Sequence, residues 1–117
     1  AFNNAGIEGP SARVLDIDAS TWARVLAVNL TGIFNCVQAE LGQMVKQDTG
    51  GNIINTASIA GVVGLPGAAA YNSAKHGVIG LTKTAALEYA STPCARDSSI
   101  PQCSAGSLRP TKKAAIR

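Results

Sequence analysis

The stretch Gly51-Asn52-Ile53-Ile54-Asn55-Thr56-Ala57-Ser58 predicts a short buried strand that ends in a serine. It leads into a loop, Ile59 to Ala69, which three glycines and a proline punctuate. A long helix is predicted from Ala70 to Ala90. A strand followed by a loop and a helix is typical of α/β proteins, which bind their ligands in loops at the carboxyl ends of parallel strands. We therefore expect a ligand site beside Ser58.

The first half of the chain predicts a strand end and another long helix. The turn Asn3-Asn4-Ala5-Gly6 suits a place where the backbone leaves a strand. Apolar residues then recur at steps of three and four from Asp16 to Gln47, with Asp18 and Ser20 as candidate N-caps. The broad apolar stripe predicts burial on two sides. Asn29 lies in the middle of that stripe, and we expect a local kink just after it.

Composition and charge favour one small globular domain without a nucleic-acid surface. The chain has 117 residues, of which 46% are hydrophobic and 15% are charged. The net charge of +3 is uneven, because residues 1–90 hold five basic and six acidic side chains and residues 91–117 hold five basic and one acidic. No basic stripe with interleaved aromatic residues is present, so we expect no nucleic-acid partner.

Neither a metal site nor a membrane segment is expected from the sequence. The three cysteines and the single histidine have no metal-ligand spacing. Cys36 lies in an apolar helical stretch, which predicts a small buried side chain. No run of about 18 or more apolar residues is present, so we expect no membrane-spanning helix.

The chain changes character at Ser91. Prolines and serines accumulate there, and neither a helical nor a strand period is sustained. We therefore predict a first domain at residues 1–90 and an irregular basic tail at residues 91–117, which is disordered or non-native. A reading-frame error or a mis-spliced end could produce such an abrupt change.

Tyr71 and Lys75 are one helical turn apart on the same face of the second long helix. A free tyrosine has a pKa of about 10, and a nearby ammonium lowers the pKa of a phenol. The Ser58 hydroxyl could bind the oxygen that the tyrosine protonates, which suits acid/base chemistry at a carbonyl or an alcohol. A tyrosine four residues before a lysine arises by chance in roughly one such chain in ten, so a solvent-facing pair is the alternative. The strand and the loop before the pair weaken that alternative.

Four segments in the same order resemble the short-chain dehydrogenase/reductase family, of the shorter subtype. They are Asn3-Asn4-Ala5-Gly6, Val28-Asn29-Leu30-Thr31-Gly32, Asn52 to Gly61, and Tyr71 to Lys75 with its continuation Gly80-Leu81-Thr82-Lys83. The resemblance covers residues 1 to about 90. It implies the central part of a Rossmann-like, doubly wound parallel sheet.

The resemblance also implies a role for each matching residue. Tyr71 would be the general acid/base, and Ser58 would orient the substrate oxygen. Lys75 would lower the pKa of the tyrosine and bind the nicotinamide ribose. Asn29 would hold a water of a proton relay through its backbone. Asn4, Ala5 and Gly6 would lie near the ribose of an NAD or NADP cofactor.

Two parts of the family pattern do not appear. The phosphate-binding glycine loop, which belongs to an N-terminal βαβ nucleotide-binding half, has no counterpart here. The strand and the proline-glycine turn that follow the tyrosine helix are also not visible. We therefore expect the chain to be a fragment that lacks this half and the C-terminal strands, with low or no activity by itself.

The resemblance implies an oxidoreductase that transfers a hydride between a nicotinamide cofactor and a ketone or a secondary alcohol. It further implies a cytoplasmic enzyme without membrane contact, which is a homo-dimer or a homo-tetramer as the full-length parent. Two alternatives stay open. One is an epimerase or dehydratase with tightly held NAD, and the other is a non-catalytic module that assembles through its two long helices.

Overall fold

The computed structural model describes residues 1–47 and 49–90. Asp48 and the predicted tail at 91–117 lie outside the described residues, so the tail and the domain boundary stay predictions. The elements in chain order are β1 (Phe2–Asn3), a 3-10 turn (Val14–Asp16), α1 (Ala19–Leu26), a π-helical turn (Ala27–Thr31), α2 (Gly32–Met44), β2 (Ile54–Asn55), a second 3-10 turn (Ile59–Gly61) and α3 (Ala69–Tyr89).

β1 and β2 pair in parallel, with Phe2 opposite Ile54 and Asn3 opposite Asn55. The helical run between them makes the connection that parallel strands require. The described part of the chain is therefore a partial α/β Rossmann fold, as predicted.

The strand predicted over residues 51–58 is wrong in length and in burial. Two residues pair, because β1 itself contributes only Phe2 and Asn3 to the ladder. Ile54 is 47% exposed. The helices contact the opposite face of the sheet, where Asn3 binds Glu40 of α2 and Asn55 binds Thr82 of α3. The prediction was a buried strand, and the described residues cover one face of it.

Asp18, and not Ser20, caps the first long helix. Its carboxylate accepts hydrogen bonds from the Ser20 hydroxyl and from the backbone N–H and the hydroxyl of Thr21. These bonds, with the one from Ser20 first, hold the pKa of Asp18 well below its usual range. The helix therefore begins at Ala19 rather than at Asp16.

Where the sequence predicted a kink just after Asn29, the helix has the π-helical turn Ala27–Thr31, with Asn29 at its centre. The N–H of Gly32 donates to the carbonyl of Ala27, five residues earlier, which widens the helix by one residue. The Asn29 side chain reaches back from this turn to the Val25 carbonyl at 2.9 Å. Wide turns of this kind occur frequently at functional sites.

The core lies between the two long helical segments. Ile33, Val37 and Val78 form a buried cluster, with Leu30, Leu41, Ile53, Leu81 and Ala85 packed against it. Several residues of the predicted broad stripe are exposed, which corrects the expectation of burial on two sides. Its exposed members include Trp22, Val28 and Phe34. Cys36 is also exposed rather than buried.

The continuous helical run Ala19–Met44 is long and apolar enough to cross a membrane by length and composition, with a mean hydropathy of 1.2 over an 18-residue window. Core helices of soluble proteins pass the same test. This run packs on α3 through Leu30 and Ile33. The expectation of no membrane partner stays a prediction.

Candidate active site

Lys75 is a buried cation at the centre of the site. The residue is 3% exposed, and its ammonium donates to the carbonyl of Thr56 at 3.0 Å. Burial lowers its pKa from the ordinary value, because an apolar surrounding disfavours the charged form. α3 supplies the lysine and β2 leads into Thr56, so this bond joins the two elements just before Ser58.

The Tyr71 ring lies beside that ammonium. Lys75 Nζ is 5.6 Å from the ring centroid, within the range of a cation–π contact. Tyr71 is half-buried at the start of α3. It lines a cleft with a volume of about 10 Å³, together with Glu8, Thr21 and Val25. Such a cleft has room for about one water molecule. Tyr71 thus faces a cleft, and Lys75 is buried behind it, so the two side chains are not a solvent-facing pair.

Ser58 begins the 3-10 turn Ile59–Gly61, which we call the serine turn. Its hydroxyl accepts a hydrogen bond from the N–H of Ala60 at 3.2 Å, and its carbonyl accepts one from the N–H of Gly61 at 2.9 Å. The turn packs tightly on α3, because a Cβ on Gly61 would lie 2.7 Å from the Ile79 side chain and 3.0 Å from the Lys75 carbonyl. A residue with a side chain would force the turn away from the helix.

Asn29 is fully buried, and its side chain holds the loop after β1. Its Nδ2 donates to the Ile7 carbonyl at 2.7 Å, and the N–H of Ile7 donates to its Oδ1 at 3.1 Å. With the bond to Val25, the side-chain amide has partners on both of its atoms. The side chain therefore serves the loop, and the predicted role in a water relay falls on its backbone, which stays a prediction.

Gly6 lies between Asn29 and Lys75. A Cβ on Gly6 would be 2.7 Å from Asn29 Oδ1 and 3.6 Å from Lys75 Nζ, so the backbone passes closer than a side chain allows. Asn4 and Ala5 are exposed beside it. All three predicted turn residues are thus exposed, and Gly6 is the one whose backbone approaches the lysine.

Asn72 is a residue that the sequence analysis missed as a part of the site. It is 9% exposed, and its Nδ2 donates to the carbonyls of Ala60 at 3.1 Å and Val63 at 2.6 Å. Its position between Tyr71 and Lys75 was the available signal. In residues 1–47 and 49–90, no group of three or more His, Cys, Asp or Glu side chains is placed to hold a metal ion.

A family model described as short chain dehydrogenase matches residues 2–100. The chain belongs to this family. The match covers the turn after β1, the π-helical turn, the serine turn and α3, which are the elements that carry the site.

Three similar proteins illustrate the family. The cyclohexanol dehydrogenase of Acinetobacter sp. (strain SE19) is 48% identical over 90 residues, which cover 77% of this chain and 36% of that protein. An NAD+-bound xylitol dehydrogenase is 49% identical with a TM-score of 0.72, covering 76% of this chain and 34% of that one. ElxO with NADP bound is 37% identical with a TM-score of 0.71, covering 76% and 36%. The chain spans about a third of the length of these relatives.

Proposed function

We propose that the protein is an NAD(P)-dependent oxidoreductase that transfers a hydride between a nicotinamide cofactor and a ketone or a secondary alcohol. The observation that carries the proposal is the buried Lys75 ammonium between the Tyr71 ring and the Gly6 backbone. Two of the three relatives above are named dehydrogenases, which favours this reaction over that of an epimerase or dehydratase. One is described with NAD+ and another with NADP.

The residues around Lys75 fit the ribose of such a cofactor. An ammonium carries three N–H donors, and the Thr56 carbonyl takes one of them. The missing side chain at Gly6 lets a hydroxylated ligand approach the ammonium, which a Cβ 3.6 Å from Nζ would crowd. Lys75 would bind the ribose hydroxyls, with Asn4, Ala5 and Gly6 beside them. When bound, the nicotinamide accepts the hydride in alcohol oxidation and supplies it in ketone reduction.

The side chains of this chain would then handle the proton. In alcohol oxidation, the ionised Tyr71 oxygen takes the proton of the substrate hydroxyl as the hydride leaves the carbinol carbon. In ketone reduction, the Tyr71 hydroxyl returns a proton to the carbonyl oxygen. The Ser58 hydroxyl donates a hydrogen bond to the same substrate oxygen and orients it. Lys75 keeps a positive charge beside the ring in both directions.

A chimera tests the proposal. Residues 1–90 would replace the matching segment of the Acinetobacter cyclohexanol dehydrogenase, with which this chain is 48% identical. The chimera should oxidise a secondary alcohol with NAD+ or NADP+, and its Tyr71→Phe variant should lose this activity. A folded chimera that binds the cofactor but is inactive, or one that stays active without the phenol, would contradict the proposal. The expected low activity of the 117-residue chain by itself stays a prediction.

We also propose that the protein forms a homo-dimer or a homo-tetramer in the cytoplasm, as the family resemblance implies. The observation that favours assembly is the presence of exposed apolar side chains on the first helical run, among them Trp22, Val28 and Phe34. The same surface would serve the alternative of a non-catalytic assembly module. Size exclusion with a cofactor-binding measurement separates them, because an oligomer without nucleotide binding favours the module.

A further inference from the structure

Ser58 lies between two carbonyls that α3 holds. Two residues before it, the Thr56 carbonyl accepts from Lys75 Nζ at 3.0 Å. Two residues after it, the Ala60 carbonyl accepts from Asn72 Nδ2 at 3.1 Å. The backbone at Ser58 is thus fastened on both sides to the helix turn that carries Tyr71. Lys75 has a role in the proposed site, whereas Asn72 has none so far.

We propose that Asn72 is a positioning residue, which holds the serine turn against α3 and so keeps the Ser58 hydroxyl where it would meet the substrate oxygen that Tyr71 protonates. The catalytic part of this inference rests on the proposed function. Both N–H groups of the Asn72 amide have an acceptor, since the second donates to the Val63 carbonyl at 2.6 Å. One side chain therefore holds the turn at its middle and the loop just after its end.

The amide oxygen of Asn72 indicates that a contribution to stability alone does not explain why an asparagine is at this position. Asn72 Oδ1 is buried and has no hydrogen-bond partner among the described residues. A buried acceptor without a partner loses its hydration and gains nothing in return. Sequences break such local rules most often at functional sites. The two donated bonds, which locate the serine turn, are the compensation visible here.

Gly61, the residue after Ala60, shows why the serine turn has to be held at a defined position on α3. Gly61 is a point of close approach, with no room for a Cβ between the turn and Lys75 or Ile79. Van der Waals contact alone allows the turn to slide along the helix, because dispersion is not directional. Hydrogen bonds from Asn72 fix the position along the helix axis. A misplacement of about 1 Å in an active site can cost roughly a hundredfold in rate.

Amide hydrogen exchange of the 117-residue chain tests the positioning role. Asn72→Ala removes both hydrogen bonds that the side chain donates. Asn72→Asp also removes them, but it keeps the shape of the side chain. Both variants should speed exchange at Gly61, Val62 and Val63 by roughly tenfold relative to amides in the second half of α3. Val78→Ala is the matched control, since it truncates a fully buried residue of the same helix that belongs to the core cluster with Ile33 and Val37. Val78→Ala should speed amide exchange in the core and should not speed exchange at the serine turn more than in the core.

The exchange pattern decides between positioning and general stability. A uniform rise over the turn and α3 in Asn72→Ala, or a pattern like that of Val78→Ala, would overturn the positioning role. Where turnover is measurable, Asn72→Ala should lower kcat by roughly tenfold to a hundredfold and leave the KM for the cofactor unchanged, because Lys75 keeps its place. An unchanged kcat would overturn the catalytic part. A protein without dehydrogenase activity would contradict the proposed function, and the exchange pattern alone would then decide the role of Asn72.

Discussion

The side chain of Asn29 and the backbone of Ile7 form a reciprocal pair of hydrogen bonds. Asn29 Nδ2 donates to the Ile7 carbonyl at 2.7 Å, and the Ile7 N–H donates to Asn29 Oδ1 at 3.1 Å. The pair mimics one step of a β-ladder, although the two residues are 22 positions apart in the chain. It joins the π-helical turn to the loop after Gly6, whose backbone passes close to Asn29 Oδ1 and to Lys75 Nζ.

Asn29→Ala should therefore destabilise the chain strongly. The variant leaves both backbone groups of Ile7 without their partner, and it should lower the free energy of unfolding by about 2–4 kcal/mol. Urea unfolding followed by circular dichroism measures the change. Asn35→Ala is the matched control, because Asn35 is an exposed asparagine on the next helical segment. Its effect should stay within about 0.5 kcal/mol. Equal losses in the two variants would contradict the structural role of Asn29.

Asn3 and Asn55 should be energetically coupled. Their side chains share a bond of 2.9 Å on the buried face of the sheet, and each binds a helix as well, Asn3 through Glu40 and Asn55 through Thr82. A double-mutant cycle with Asn3→Ala and Asn55→Ala should give a coupling energy of about 0.5–3 kcal/mol. A coupling energy near zero would show that the network does not stabilise the fold as a unit.

The strand register offers a control for that cycle. Phe2 and Ile54 are opposite each other in the same register but lie on the exposed face. Their cycle should give a smaller coupling energy, in the range of about 0.2–1 kcal/mol for an ordinary cross-strand pair. The comparison separates the buried amide network from strand pairing itself.

Stability should depend on pH through Lys75 in the alkaline range. Burial lowers the folded-state pKa of Lys75 below the ordinary value of 10.5, so the unfolded state binds the proton more tightly. Protonation therefore costs stability at neutral pH, and this cost disappears as the pH rises through the folded-state pKa towards 10.5. Relative to Lys75→Met, the wild type should gain stability over that window. Lys83→Met, at an exposed position of α3, should show no such difference from the wild type.

Tyr71→Phe should abolish most of the proposed activity while leaving the fold intact. The variant keeps the ring beside Lys75 and removes the hydroxyl that exchanges the proton, which is typically worth about 10²–10⁴-fold in rate. Activity would be measured in the chimera described above. Tyr89→Phe, at the end of α3, is the matched control and should retain the activity. A Tyr71→Phe protein with the wild-type rate would exclude the phenol as the acid/base.

The elements of the site were predictable from the sequence because their signals are local. The helical period, an N-cap at Asp18 or Ser20, the irregular helix turn near Asn29 and a serine shortly after a strand all depend on residues within a few positions of one another. The motif Tyr71 to Lys75 is equally local, since a spacing of four on a helix places both side chains on one face. The family membership confirmed that these segments belong together.

The burial of several residues was not predictable in the same way. Trp22, Phe34 and Ile54 have the apolar character of core residues, yet they are exposed in the described part of the chain. Exposure depends on which layer covers each face, and periodicity identifies an apolar face without saying whether anything packs on it. Cys36 was misjudged for the same reason.

The sequence by itself determined the order of strand, loop and helix, and the chemical groups that the site contains. The tertiary structure alone decided which backbone atoms hold those groups in place. The hydrogen-bond partners of the Asn29, Asn3, Lys75 and Asn72 side chains lie from 9 to 52 positions away, apart from the local bond to Val25. A hydrogen bond needs atoms within about 3 Å in space. The sequence distance between two residues does not specify that separation, because the chain must fold before they meet.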